Sequence, residues 1–152
     1  MKNMKTALLL SFFLSSTFSF VANALECTEY VNQKLANAGK VQLKGDAKYF
    51  ADSVKNPGIT VSSTPSASSI VVFDGTRVNS EGKTINFESR GHVGWVSSVN
   101  GGAFSYSDAN WNRDGKEASH TASRVNNNWT KIKVDSGAST YNVIGYVTAP
   151  TK

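Results

Sequence analysis

Two hydrophobic periods divide this chain, and their order restricts its fold more than any other feature. From Cys27, the positions Tyr30, Val31, Leu35 and Ala38 recur at offsets of three, four, eight and eleven, a single helical stripe that stops at Gly39. A second helix is expected to open with Asp46 as its N-cap. It would bury Ala47, Phe50, Ala51 and Val54 before Asn56-Pro57-Gly58 ends it. After that the pattern changes to short β-branched runs at 59–61, 70–73, 92–99, 102–109, 130–134 and 141–148, separated by Gly, Asn, Ser and Asp. Helices followed by strands imply an α+β domain with the N-terminal helices packed on one face of an antiparallel β-sheet.

Ahead of the helical stripe stands a different kind of segment. Lys2 and Lys5 precede an almost wholly apolar stretch from Ala7 to Phe20, and Ala22-Asn23-Ala24 places small residues where a signal peptidase reads. Cleavage is expected after Ala24, making residues 1–24 a signal peptide and 25–152 one domain, secreted or periplasmic. The apolar stretch is short for a membrane span and no later segment approaches the required length, so stable membrane insertion is not expected. The net charge of +5 falls to +3 once Lys2 and Lys5 are removed. The basic residues are scattered rather than clustered, which speaks against nucleic acid as a partner but leaves an anionic envelope surface open.

Cys27 is the only cysteine of the 152-residue chain. Exported proteins generally use cysteines in pairs, because disulfides form outside the cytoplasm and an unpaired thiol is exposed to oxidation. A lone thiol at the first turn of a helix, where unpaired amide groups and the helix dipole favour negative charge, suits a nucleophile. The competing reading is a small buried hydrophobe on the apolar stripe. Glu26, rather than a small residue, precedes the cysteine, which argues against lipidation.

The segment around Asn100-Gly101-Gly102 reads as a hairpin that decides whether the remaining polar residues can meet. A two-residue Asn100-Gly101 loop would place His92 opposite Ala109 and turn Asp108 and Asn110 to the other face. A three-residue loop with Gly102 in a left-handed conformation pairs Val99 with Ala103, Gly94 with Asp108 and His92 with Asn110. His92, Asp108 and Asn110 then share a face with Val96, Phe104 and Tyr106, and the Cys27 stripe is the expected cover of that face. The bland alternatives are a structural histidine and two turn residues.

In order along the chain, Cys27-Thr28-x-Tyr30-Val31, Gly45-Asp46-Ala47, Pro65 before Ile70-Val71-Val72-Phe73-Asp74-Gly75, Gly91-His92-Val93-Gly94-Trp95-Val96, Ser107-Asp108-Ala109-Asn110-Trp111 and Ile144-Gly145-Tyr146-Val147 together resemble the CHAP domain. This is the cysteine, histidine-dependent amidohydrolase/peptidase group within the papain-like enzymes. The resemblance implies a papain-like CHAP fold, Cys27 as nucleophile, His92 as base, Asp108 where the family usually carries Glu, and Asn110 as the associated asparagine. Either Asp108 or Asn110 would orient His92. Ser68 stands where a glycine is common, and the connection Thr76–Arg90 is longer than usual and is expected to lie beside the cleft.

The resemblance further implies a hydrolase of amide bonds in peptidoglycan or its fragments, either an N-acetylmuramoyl-L-alanine amidase or an endopeptidase, working through a thioester without a cofactor or metal. Alternatives are a secreted hydrolase of another peptide or amide, and a noncatalytic envelope-binding module of the same fold. Trp111, next to Asn110, is a candidate substrate-binding aromatic. Trp95 is expected on the face opposite His92, Trp129 at a strand edge, and His120, with no neighbouring ligand set, on the surface. The protein is expected to be a monomer.

Overall fold

The computed structural model describes residues 24–152, so nearly all of the expected leader lies outside the described residues. One α-helix, α1 (Cys27–Asn37), precedes a short 3-10 turn (Ala47–Ala51) and eight strands. These are β1 (Thr60–Ser62), β2 (Ile70–Val78), β3 (Thr84–Asn86), β4 (His92–Asn100), β5 (Ala103–Ala109), β6 (Glu117–Val125), β7 (Asn128–Val134) and β8 (Thr140–Thr148). The helical stripe is realised as read: Cys27, Tyr30, Val31 and Leu35 are the buried residues of α1. Gly39 follows the helix with φ +69, the left-handed conformation that lets the chain turn away there.

The expected second helix does not form. Only the 3-10 turn follows Asp46, and Val54, assigned to its buried side, is 87 % exposed. Polar side chains take the backbone groups that a helix would need. Asp52 Oδ1 accepts from the amides of Val54 and Lys55, while Asn56 accepts from the Lys44 amide and donates to the carbonyls of Lys44 and Tyr49. Phe50 is still fully buried, so the turn keeps its anchoring role. The domain is therefore mostly antiparallel sheet with one helix.

All strand pairings are antiparallel, in the order β1-β8-β7-β6-β5-β4-β2-β3, and β2 also pairs with β8. That last pairing closes β2, β4, β5, β6, β7 and β8 into a ring. Alternation along the strands then produces two cores. Inside lie Val71, Phe73, Val96, Phe104, Tyr106, Ile132 and Tyr146. Outside, Ile70, Val72, Val93 and Ala109 pack against Val31 and Leu35 of α1 and against Phe50. Each fully buried side chain such as Leu35 stabilises the fold by roughly 1.5–3 kcal/mol.

Closure corrects the expected role of α1. Val96, Phe104 and Tyr106 are covered by the opposite wall of the ring, and α1 covers the other face of β4 and β5. Trp95 packs on the helix side, opposite to His92 as read. Trp129 belongs to the inner core rather than to an edge, because β7 is paired on both sides.

Candidate active site

β4 begins at His92, and the residue before it is forced to be small. A Cβ on Gly91, whose φ is +78, would lie 2.7 Å from the Phe73 carbonyl oxygen and 2.8 Å from the Lys48 amide. This close approach sets the 3-10 turn against the start of β4, with the Lys48 amide donating to the Arg90 carbonyl at 3.0 Å. His92 therefore enters the end of the ring with its imidazole 5 % exposed.

The hairpin reaches the required register by a route different from the one read in the sequence. Its loop has two residues, Gly101 and Gly102, and Asn100 pairs with Ala103. Gly101, not Gly102, carries the left-handed φ of +60. Continued without interruption, that register would face His92 with Trp111 and send Asp108 to the other side. A bulge at Ser97, between the Val96↔Tyr106 and Ser98↔Ser105 pairs, absorbs one residue of β4. Trp95 then pairs with Ser107, and the same register carried outward sets Gly94 against Asp108 and His92 against Asn110.

His92 Nε2 lies 2.8 Å from Asp108 Oδ2. Cys27 stands beside the same imidazole, the two side chains lining one cavity. Burial by itself would lower the pKa of His92, but the hydrogen bond with Asp108 and then the neighbouring Cys27 side chain outweigh it and raise it to about 9. Asp108 is 0 % exposed. Burial pushes its carboxyl up, and hydrogen bonds from His120 and His92 more than reverse this, leaving it below the usual carboxylate range. The arrangement is a proton-holding imidazole between a thiol and an ionised carboxylate.

Asn110 is close by but serves another contact. Its amide donates to Glu26 Oε2 at 3.2 Å and its oxygen accepts from the Gly115 amide at 2.9 Å. Glu26 immediately precedes α1, and Glu29 reaches back to accept from its amide at 3.3 Å. Asn110 thus ties the start of α1, and with it Cys27, to the end of β5, while Asp108 alone of the two meets His92. Trp111 stands edge-on to His92, with ring centroids 5.0 Å apart, and screens the imidazole from one side.

Two residues of the cluster escaped the sequence reading. His120, expected on the surface, is 8 % exposed inside the ring, with its Nε2 3.1 Å from Asp108 Oδ1 and its Nδ1 2.6 Å from Asp135 Oδ2. Asp135, just past β7, also accepts from the Thr121 amide at 2.9 Å. Burial lowers the pKa of His120, and the hydrogen bonds with Asp108 and Asp135 raise it by more. The available signal was the alternation Ala118-x-His120-x-Ala122, which puts His120 on one face of a strand; with only alanines as companions, that strand was not recognised.

Cys27 and His92 open onto a cavity of about 100 Å³ whose rim includes Asp46, Glu88, Arg90 and Asn110. Glu88 and Arg90 come from the Thr76–Arg90 connection, where β3 forms a hairpin with the outer part of β2. The CHAP domain model matches residues 18–110, a span that includes Cys27, His92, Asp108 and Asn110. This chain belongs to the CHAP domain family. The CHAP fold is also seen in its likeness to an N-acetylmuramoyl-L-alanine amidase from Staphylococcus aureus, with a TM-score of 0.54 and 22 % identity over 78 % of this chain. The aligned part is 30 % of that amidase, so this CHAP chain spans less than a third of it. A second structure, that of Ly7917, aligns with a TM-score of 0.45 and 18 % identity over 74 % of this chain and 41 % of its own. Among curated proteins, none matches the chain.

Among the described residues, no helix is long and apolar enough to cross a membrane. No group of three or more His, Cys, Asp or Glu among them is arranged to hold a metal ion.

Proposed function

We propose that the protein is a cysteine-dependent hydrolase of peptidoglycan amide bonds, an amidase or endopeptidase, exported by removal of residues 1–24 and acting as a monomeric domain of residues 25–152. The observation that carries this reading is Cys27 and His92 on one cavity, with His92 Nε2 2.8 Å from the buried Asp108 carboxylate. CHAP membership and the fold shared with the staphylococcal amidase support the choice of substrate.

The chemistry follows from the contacts. With the Cys27 proton already held by His92, the sulfur attacks the scissile carbonyl, and Asp108 stabilises the imidazolium while accepting the hydrogen bond that fixes the ring. The Cys27 amide, at the first position of α1, has no intrahelical acceptor and is a donor for the oxygen of the tetrahedral intermediate. The intermediate collapses as the C–N bond breaks and His92 gives its proton to the leaving amine, which leaves a thioester on Cys27. His92 then takes a proton from water, the hydroxyl adds to the thioester, and the acid product departs as the C–S bond breaks, which leaves the free Cys27 sulfur beside a protonated His92. Asn110 holds the helix start, and Trp111 limits water around His92.

The test is mass spectrometry of fragments released from purified sacculi by the protein lacking its leader, with Cys27→Ala as control. Loss of the lactyl-amide link identifies an amidase, and a cut within peptides identifies an endopeptidase. Intact sacculi after incubation with folded wild-type protein would overturn the reading.

A further inference from the structure

The buried contacts do not end at Asp108. Each oxygen of that carboxylate meets a different imidazole: Oδ2 faces His92 at 2.8 Å, and Oδ1 faces His120 at 3.1 Å. The far nitrogen of His120 meets Asp135, whose own side chain is 51 % exposed, so the cluster runs from the Cys27 thiol to solvent at the end of β7. We propose that His120 and Asp135 are positioning residues, with Asp135 orienting His120 and His120 holding Asp108 in the rotamer and charge state that serve His92. The inference rests on the cysteine-hydrolase reading, but its geometry stands apart from any substrate.

The physical need is specific. A buried carboxylate with one oxygen unpaired carries the desolvation cost of that oxygen and can rotate or protonate to relieve it. His120 removes both options, since it supplies a second donor and a positive charge on the side away from Cys27. The groups around Asp108 are His92 from β4, Tyr106 from β5 and His120 from β6, with Asp135 behind His120. The buried Tyr106 hydroxyl makes no hydrogen bond, which leaves the two imidazoles as the side-chain donors to Asp108.

Because Cys27 is the only thiol, its alkylation rate reports the Cys27–His92 pair without any substrate. We expect His120→Ala to lose reactivity toward iodoacetamide on the acid side. There Asp108 protonates at higher pH, so the acid limb of the rate profile moves to higher pH with it, the rate falling about tenfold for each pH unit below the Asp108 pKa. His120→Gln, which restores a donor without the charge, should recover part of the rate, and Asp135→Asn should move the acid limb the same way by less. In sacculus digestion the expected change falls on kcat rather than KM. A folded His120→Ala protein with the wild-type alkylation profile would overturn the proposal. If His120→Ala does not fold, a wild-type profile in Asp135→Asn does the same. Inactivity of wild type on sacculi with these profile shifts intact would instead sink the substrate reading alone.

A separate cleft of about 440 Å³ adjoins the site on the other side of Trp111. Phe87, Trp111 and Tyr141 wall it, and Arg77 and Arg113 line it without an acidic partner among the described residues. Arg77 Nε is buried with no hydrogen-bond acceptor, and its guanidinium reaches only hydroxyls, at 3.3 Å to Ser139 and 3.4 Å to Tyr141. Arg113 donates to the Phe87 carbonyl at 2.8 Å, and two guanidinium groups that lack a carboxylate partner beside an aromatic wall select an anion with an apolar body. We infer that this cleft binds a free carboxylate of the peptide part of the substrate.

The probe is N-acetyl-D-alanyl-D-alanine, compared with its C-terminal amide and with inorganic phosphate, on the Cys27→Ala protein. The readout is the Trp111 indole N–H resonance, assigned with Trp111→Phe. The free acid should shift it, the amide and phosphate should shift it at least tenfold less at equal concentration, and Arg77→Gln should abolish the response. Equal shifts with acid and amide, or a larger one with phosphate, would overturn the inference.

Discussion

The two ends of the β4–β5 hairpin follow different registers, and the difference lies in one residue. At the turn, Asn100 faces Ala103 and Val99 faces Phe104; toward the site, Val96 faces Tyr106 and Trp95 faces Ser107. Between them Ser97 has no partner in the ladder. Its hydroxyl donates to the Ser105 carbonyl at 3.1 Å, which anchors the bulge. The turn end is exposed along β4, whereas the site end carries two buried polar residues that must share a face. A strand pair can therefore take a tight two-residue turn and still bring His92 to Asp108, provided one residue is absorbed between them.

The largest expected effect lies at the site end. Cys27→Ala should reduce hydrolysis to background with a thermal unfolding midpoint near wild type, because it removes the sulfur proposed to attack and little packing. Hydrolysis at the wild-type rate by the folded variant would return Cys27 to a structural role.

Next is Asp108→Asn, which keeps the volume and removes the charge that stabilises the imidazolium. A fall in kcat of about a hundredfold or more is expected. Wild-type activity should decline as pH rises through about 9, where His92 loses its proton, and the variant should decline at lower pH. Folding responds with the same sign. A histidine whose pKa rises from 6.5 to about 9 on folding contributes stability that is complete below 6.5 and lost as pH climbs to 9. The full effect is up to about 3 kcal/mol. Urea unfolding between pH 6.5 and 9.5 measures it, and a flat profile would contradict the assigned ionisation.

A smaller effect on activity is expected from Gly94→Ala. The added Cβ would lie 2.5 Å from Tyr106 Cδ2 and 3.2 Å from the Ser107 carbonyl oxygen, so Tyr106 must shift inside the ring. Overpacking of this kind costs about 1–3 kcal/mol, visible as a lower unfolding midpoint, with kcat falling only as far as Tyr106 displaces Asp108. An unchanged midpoint would mean that the inner core at the site end is looser than its burial indicates.

What could be read from the sequence follows from how local each constraint is. Cys27, His92 and Asp108 lie on a helical stripe and on two strands joined by a tight turn, so periods of 3.6 and 2 place them with few choices. The parity of the hairpin was legible as a need for one odd residue; that it sits at Ser97 rather than in the loop was not, because a bulge leaves alternation intact on either side. Ring closure depends on β2 meeting β8 some seventy residues later, with register shifts at Val72/Phe73 and Phe73/Arg77, and no local pattern encodes such a pairing. His120 and Asp135 were hidden for the same reason. They reach Asp108 only because the sheet closes, and the inward side of β6 is marked by alanines rather than by large apolar residues. The second helix failed because Asp52 and Asn56, polar residues at the end of a plausible stripe, capture its backbone groups.

The least disruptive change expected is deletion of Ser97, and it is the sharpest test of the comparison. If the bulge matters only as a counter of residues, removing it leaves Ser98 opposite Ser105 and Val96 opposite Tyr106, now in an unbroken ladder. His92 would still face the same way as Asp108, and hydrolysis should stay within about tenfold of wild type, the loss coming from reduced twist at the site end. If the bulge instead aims the start of β4, activity should collapse in a protein that remains folded, as a small displacement of reacting groups suffices to cost about a hundredfold. The histidine resonances separate the two. A His92 N–H still hydrogen-bonded to Asp108 in the deletion variant supports the parity account, and loss of that resonance in a folded protein shows that the bulge sets geometry as well as register.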